Sequence, residues 1–250
     1  MSLIRRAYKQ VSPYIQRVLD SQHAKTIERE IKTRLEIPIR FNSGSRQALE
    51  QFILPNLASQ IISHRKPRIL FVGCDWYTQH YKYEFFKECE YWTIDPDGKK
   101  KRYGSKNHIT GYIELLKTYF EPEFFDMIIC NGVIGYGLNQ LQQVEEAFDS
   151  CFSCLRPGAK LIIGRENEPA FIPFSNSELE SLKKFLPYQF HPLAAVDYSI
   201  PPHNTYVFSF FEKPTHSLGE VPQNNVVKMK ALHTDQQKTV DHYHSIEAKI

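Results

Sequence analysis

A net charge of only +3 over 250 residues gives the chain little global field. Nucleic acid is therefore not implied by charge alone, and local runs such as Gly98-Lys-Lys-Lys-Arg102 matter more. The start, Met1-Ser-Leu-Ile-Arg-Arg6, has no apolar stretch long enough for a signal peptide or a membrane span. Cysteine is sparse and odd in number: Cys74, Cys89, Cys130, Cys151 and Cys154. Several lie inside apolar patterns, where a free thiol behaves as a small hydrophobe. Cys151 and Cys154 form a C-x-x-C pair, but no second Cys or His pair stands at ligand spacing, so no metal centre is expected. A reduced, cytoplasmic setting follows as the expectation.

What is present is a core. The chain is 42% hydrophobic and holds 31 Phe and Tyr residues, enough for one α/β domain of ordinary size with extensions. Its most informative stretch is Arg68-Ile-Leu-Phe-Val-Gly-Cys-Asp-Trp-Tyr77, followed by Tyr91-Trp-Thr-Ile-Asp-Pro-Asp97. This reads as a buried strand, a turn at Gly73, a helix, and a second strand ending on Asp95. Asp95 lies 22 residues after Gly73, about the spacing at which a doubly wound fold presents a carboxylate to the ribose hydroxyls of a nucleotide cofactor.

Alternation continues beyond it. His108 to Thr110 reads as a short third strand, and Phe125-Asp-Met-Ile-Ile-Cys130 as a fourth with the apolar run of a strand buried on both faces. Leu138 to Leu155 has helical spacing, Lys160-Leu-Ile-Ile-Gly164 is a fifth strand, and Asn176 to Phe185 a further helix. Phe190 to Val196 and Thr205 to Phe211 leave no room for a helix between them, so an antiparallel hairpin is expected. The fold class is α/β: a Rossmann-like, doubly wound sheet of about seven strands, mostly parallel, closed by that hairpin.

Residues 1–44 read as a helical extension. Val11, Ile15 and Leu19 recur every four residues, as do Ile27, Ile31 and Leu35, with Pro13 between helices or starting one. The domain proper spans 45–213, beginning with a helix from Arg46 to about Ser63 in which Pro55 suggests a kink. Residues 214–250 turn polar and are expected to be a disordered tail. Its four histidines, His216, His233, His242 and His244, have no spacing that fixes a metal site.

Five alternating strands, a closing hairpin and Leu155-Arg-Pro-Gly158 before strand five resemble the class I S-adenosylmethionine-dependent methyltransferases, over roughly Ser45 to Lys213. That family runs its first strand into D-x-G-x-G-x-G. Here the stretch is Phe71-Val-Gly73-Cys-Asp75-Trp-Tyr77: Gly73 matches, Phe71 replaces the acid, and Asp75 and Tyr77 replace the later glycines. The resemblance implies S-adenosyl-L-methionine as cofactor, with Gly73, Cys74, Asp75, Asp95, Pro96, Tyr112, Asn131 and Gly132 at its site. Asp75 would accept from the cofactor's amino group, or else cap the following helix. Tyr112 or Ile113 would cover the adenine, and Asn131 and Gly132 stand where strand four ends beside strand one.

Methyl transfer is a direct displacement, so alignment dominates and a base is needed only if the acceptor must lose a proton. His108 is the weak candidate, with His80, Tyr136 and Glu166 behind it. A small-molecule acceptor is suggested by the helical N-terminal segment, a lid in many relatives. Trp76, Tyr77, Tyr81 and Tyr83 either line the pocket or pack the first helix. Nucleic acid is disfavoured, since Asn131-Gly-Val-Ile replaces the Asn/Asp-Pro-Pro-aromatic motif that handles a flipped base. Two competing readings stand: a catalytically inactive methyltransferase-like binding or assembly module, and an NAD-dependent dehydrogenase built on the same strand-turn-strand unit.

Overall fold

The computed structural model of the chain describes residues 22–40, 43–60, 65–168, 172 and 174–215. The described residues through Lys213 belong to one compact unit. The expectations for Val11, Ile15, Leu19 and the tail histidines lie outside the described residues.

An eight-stranded sheet runs in the order β3-β2-β1-β4-β5-β8-β6, with β7 also paired to β8. Its strands are β1 Arg68–Val72, β2 Glu90–Asp95, β3 Asn107–Thr110, β4 Phe125–Asn131, β5 Leu155–Glu166, β6 Leu186–Pro187, β7 Asp197–Ser199 and β8 Tyr206–Glu212. The first five are parallel neighbours, and β8 is antiparallel to β5 with Ile162 opposite Phe210. Alternation along β1 explains the two-sided burial. Leu70 and Val72 join one cluster with Ile128, Leu161 and Phe148, while Ile69 and Phe71 join another with Ile129, Phe208 and Phe210. Each such buried side chain is worth roughly 1.5–3 kcal/mol. The first cluster is covered by the helix Leu141–Cys154, and the second by Leu49, Ile53 and Leu57 from upstream of β1.

Three expectations are corrected. The Asn176–Phe185 helix is instead two short 3-10 turns, Asn176–Glu178 and Leu182–Lys184. The Glu145 carboxylate accepts the backbone N–H of Glu180 and Ser181 at 2.7 and 2.8 Å, so those donors never join an α-helical ladder. The Phe190–Val196 strand is replaced by a 3-10 turn at His191–Leu193 that holds Pro192 and ends on Ala194 at φ 49°. The strand that pairs with β8 is Asp197–Ser199. The irregularity expected at Pro55 lies just upstream of it: a wide π-type turn, Leu49–Ile53, precedes Pro55, whose missing N–H breaks the ordinary ladder. Ile27 does not face the core but is 53% exposed. The helix Gln22–Arg34 is instead tied down through Thr33, whose carbonyl accepts from Gln79 Nε2 at 3.1 Å, and through the Glu30–Arg102 ion pair.

Candidate functional site

Parallel pairing of β1 to β4 brings the carboxyl ends of these strands to one edge, where doubly wound folds open their binding crevice. A cavity of about 390 Å³ lies there, within the ordinary size of a small-molecule site. Four loops and one upstream helix build it: the turn after β1, the ends of β2 and β3, the segment after β4, and Arg46.

The turn begins at Gly73, with φ at +82°, a conformation in which a side chain would be strained. The Gly73 N–H donates to the Ile94 carbonyl, tying the turn to β2. Asp95 ends β2 and is 6% exposed. Its Oδ2 accepts from the Cys74 N–H at 2.8 Å and its Oδ1 from the Asp97 N–H at 2.9 Å. Both oxygens are thereby oriented, and each keeps lone-pair capacity for a hydroxyl donor. Cys74 beside it is no nucleophile: burial, and then Asp95, push its thiol up to about 12.

Asp75 does not cap the helix that follows. That helix is a single turn, Tyr81–Glu84, with no side-chain cap. Asp75 instead accepts from the Trp76 N–H at 2.7 Å and pairs with Lys100 Nζ at 3.1 Å. Lys100 comes from the basic run after β2. Asp97 caps the 3-10 turn Gly98–Tyr103 through the Lys99 N–H, and Lys100 lies one residue further on in that turn.

Arg46 lines the opposite wall. Its Nη1 donates to Tyr81 Oη at 2.7 Å, and its guanidinium lies 4.5 Å from the Tyr77 ring centre. Tyr81 Oη in turn donates to the buried Glu50 at 2.9 Å, and Glu50 also takes an Arg40 ion pair. Tyr81 thus holds Arg46 in place without neutralising it. Among the charged residues of the wall, Arg46 and Lys100 stand against Asp75, Asp95, Asp97 and Glu114, a formal excess of two negative charges.

After β4, Asn131 Oδ1 accepts from Tyr206 Oη at 3.0 Å. This close approach needs Gly164 on β5, where a Cβ would meet Asn131 Oδ1 at 2.2 Å. Tyr136, 65% exposed, reaches the cavity mouth, where it bonds to Glu166. Burial, and then Glu168, raise the Glu166 carboxyl above its usual range.

All eight residues expected at the cofactor site, Gly73, Cys74, Asp75, Asp95, Pro96, Tyr112, Asn131 and Gly132, line this cavity, together with Ile113. His108 is not among the lining residues. Its Nδ1 lies 3.0 Å from Thr93 Oγ1, and burial lowers its pKa. His80 is also outside, 3% exposed, with neither ring nitrogen hydrogen-bonded. Of the four aromatics after the turn, only Tyr77 reaches this cavity. Sequence reading missed Arg46, Lys100, Thr78, Glu114 and Leu138. Arg46 carries no motif, and Lys100 was hidden in a run that looks like a solvated loop.

No protein-family model matches the chain, and no curated protein matches its sequence. Solved structures do. The N-methyltransferase NodS from Bradyrhizobium japonicum WM9 superposes with a TM-score of 0.52 at 17% identity, covering 70% of this chain and 99% of that one. The same enzyme in complex with S-adenosyl-L-homocysteine gives 0.51 at 16%, covering 69% and 89%. At such identity the likeness speaks for architecture alone: the chain has the fold of the class I S-adenosylmethionine-dependent methyltransferases.

Proposed function

We propose that the chain is an S-adenosyl-L-methionine-dependent methyltransferase acting on a small-molecule acceptor. The observation that carries this is the buried, doubly hydrogen-bonded Asp95 in a cavity whose wall has an excess of two negative charges. Such a wall favours a cationic sulfonium cofactor over a dinucleotide pyrophosphate. The NAD reading also wants a helix N-terminus at the glycine turn, and here only one helical turn forms, starting at Tyr81.

The residues present fit that cofactor. Asp95 would hold the ribose hydroxyls, Pro96, Tyr112 and Ile113 the adenine, and Gly73, Cys74, Asn131 and Gly132 would frame the methionine part. Asp75 and Arg46 offer opposite charges to its ammonium and carboxylate. The cofactor supplies an electrophilic methyl group. The chain's own work is to align the acceptor at the cavity mouth and exclude water. Glu166, like His108, is not among the lining residues, but its bond to the wall residue Tyr136 and its raised pKa make it the better-connected candidate to take a proton from an acceptor.

Two further observations bear on partners and setting. The basic run after β2 is partly spent internally, Lys100 on Asp75 and Arg102 on Glu30, which weakens any nucleic-acid reading. The five cysteines are free and buried, as suits a reducing cytoplasm, and among the described residues no helix is long and apolar enough to cross a membrane. An inactive binding module is the second reading, favoured by the Asp75–Lys100 pair and by Tyr77 in place of a glycine. Calorimetric titration with S-adenosylhomocysteine, with NAD as control, tests the proposal. Micromolar binding of the former alone is expected, and binding of neither would leave the inactive module.

A further inference from the structure

A second cavity, about 220 Å³, lies beside the first and belongs to no part of the cofactor site described above. It is lined by Lys25, Glu28, Arg29 and Lys32 of the helix Gln22–Arg34, by Thr26 and Ile39, and by Trp76 of the turn after β1. Trp76 packs edge-to-face on Tyr77, ring centres 5.0 Å apart, and Tyr77 lines the cofactor cavity. One aromatic pair therefore stands between the two spaces.

Their charges are opposite. Lys25, Arg29 and Lys32 recur at i, i+4 and i+7, which puts three cations on one helix face. Such a row costs the helix a few tenths of a kcal/mol per like-charged pair, so it does not serve helix stability. Glu28 pairs with Lys32, at 2.6 Å. Among the described residues Lys25 and Arg29 have no acidic partner, and the Arg29 guanidinium lies 5.4 Å from the Trp76 ring centre. The helix is tied to the turns after β1 and β2 by the Gln79–Thr33 bond and the Arg102–Glu30 pair, which places its exposed cations Lys25 and Arg29 in the lining of this cavity.

We propose that this cavity is the acceptor's anchoring site and that it takes an anionic group, carboxylate or phosphate, on a planar body laid against Trp76. The proposal rests on the methyltransferase reading for its purpose. An anion held there by Lys25 and Arg29 would direct the rest of the acceptor past Trp76 and Tyr77 toward Tyr136 and Glu166. The acceptor class is therefore a small acidic molecule, opposite in sign to the cofactor, so that the two do not compete for one cavity.

The test uses the full chain and intrinsic fluorescence, since Trp76 and Trp92 are its only tryptophans. Benzoate and phenyl phosphate serve as probes, with neutral benzyl alcohol as control. A saturable response to one or both anions is expected, retained in W92F and weakened at least tenfold in K25E/R29E. The two probes separate a carboxylate site from a phosphate site. The milder R29Q should give an intermediate loss if the double variant melts early. S-adenosylhomocysteine binding, measured in parallel, should be unchanged in these variants. If that cofactor product fails to bind the wild type while the anion response stands, the enzyme reading falls and the anion site remains. Absence of a saturable response to either anion, an equal response to benzyl alcohol, or an undiminished response in K25E/R29E would overturn the proposal.

Discussion

Replacing Asp95 by Asn separates its structural role from its role in binding. The carboxylate accepts two backbone N–H groups, from Cys74 at 2.8 Å and Asp97 at 2.9 Å. An amide keeps one oxygen and turns an NH2 onto the other donor, which forfeits one charge-assisted bond worth roughly 1.5–3 kcal/mol. For a domain of this size each kcal/mol moves the melting temperature by about 2–4 °C, so a fall of roughly 3–12 °C is expected. The same exchange removes one of two acceptors for the ribose diol, again about 1.5–3 kcal/mol, or roughly a tenfold to hundredfold loss of affinity. Calorimetric titration with S-adenosylhomocysteine well below the variant's melting temperature, alongside a thermal melt, reads both quantities. Asp97→Asn is the comparison: that carboxylate also lines the cavity, but it accepts from the Lys99 N–H and holds no ribose hydroxyl in the proposed arrangement, so a smaller loss of affinity than at Asp95 is expected. A variant that melts early yet binds like wild type would make Asp95 a clamp on the turn and nothing more. One that melts like wild type would remove the hydrogen-bond argument altogether.

Two other outcomes follow from the cavity and its surroundings. Lys100→Met should alter stability by less than about 1 kcal/mol, since the Asp75–Lys100 pair is partly solvated, yet tighten S-adenosylhomocysteine binding up to about fivefold by freeing Asp75 for the ligand's ammonium. Weaker binding would instead place Lys100 on the ligand. His80 is depressed by burial, despite Glu50 and Glu84 beside it and with Arg40 and Arg46 adding to the depression. Below about pH 6.5 the unfolded chain takes up the proton first, so this contribution falls as pH drops from there through the lowered folded value. His80→Leu, which orphans no partner, should flatten urea-derived stability over that window by at most about 1.4 kcal/mol per pH unit, with His108 supplying the remainder. An unchanged slope would mean that folding does not lower the His80 pKa.

Much of the architecture was legible because it depends on local pattern. Ile69-Leu-Phe-Val72 and Met127-Ile-Ile-Cys130 are apolar on both faces, so they had to be central strands, and the helix Leu141–Cys154 carries its core face in its spacing. The 22-residue interval from Gly73 to Asp95 likewise follows from the length of one strand-turn-strand unit. Where the reading failed, either a distant side chain or a local break in the backbone had decided. The N–H groups of Glu180 and Ser181 went to Glu145, 35 and 36 residues away in the chain, and the segment Phe190–Val196 gave up its strand to Pro192 and the left-handed Ala194.

The sequence by itself determined the order of strands and helices, the buried faces of the sheet and the carboxylate at the end of β2, because burial and backbone hydrogen bonding act within each segment. Only the tertiary structure decided the chemistry of the walls. Arg46 reaches the cavity because a helix upstream of the sheet packs through Tyr81, and Asp75 meets Lys100 because two loops at the ends of β1 and β2 converge. Lys25, Arg29 and Trp76 become one site for the same reason. Side chains some 25 to 50 residues apart carry no mutual signal in sequence, since their interaction depends on distance in space and no local periodicity records it.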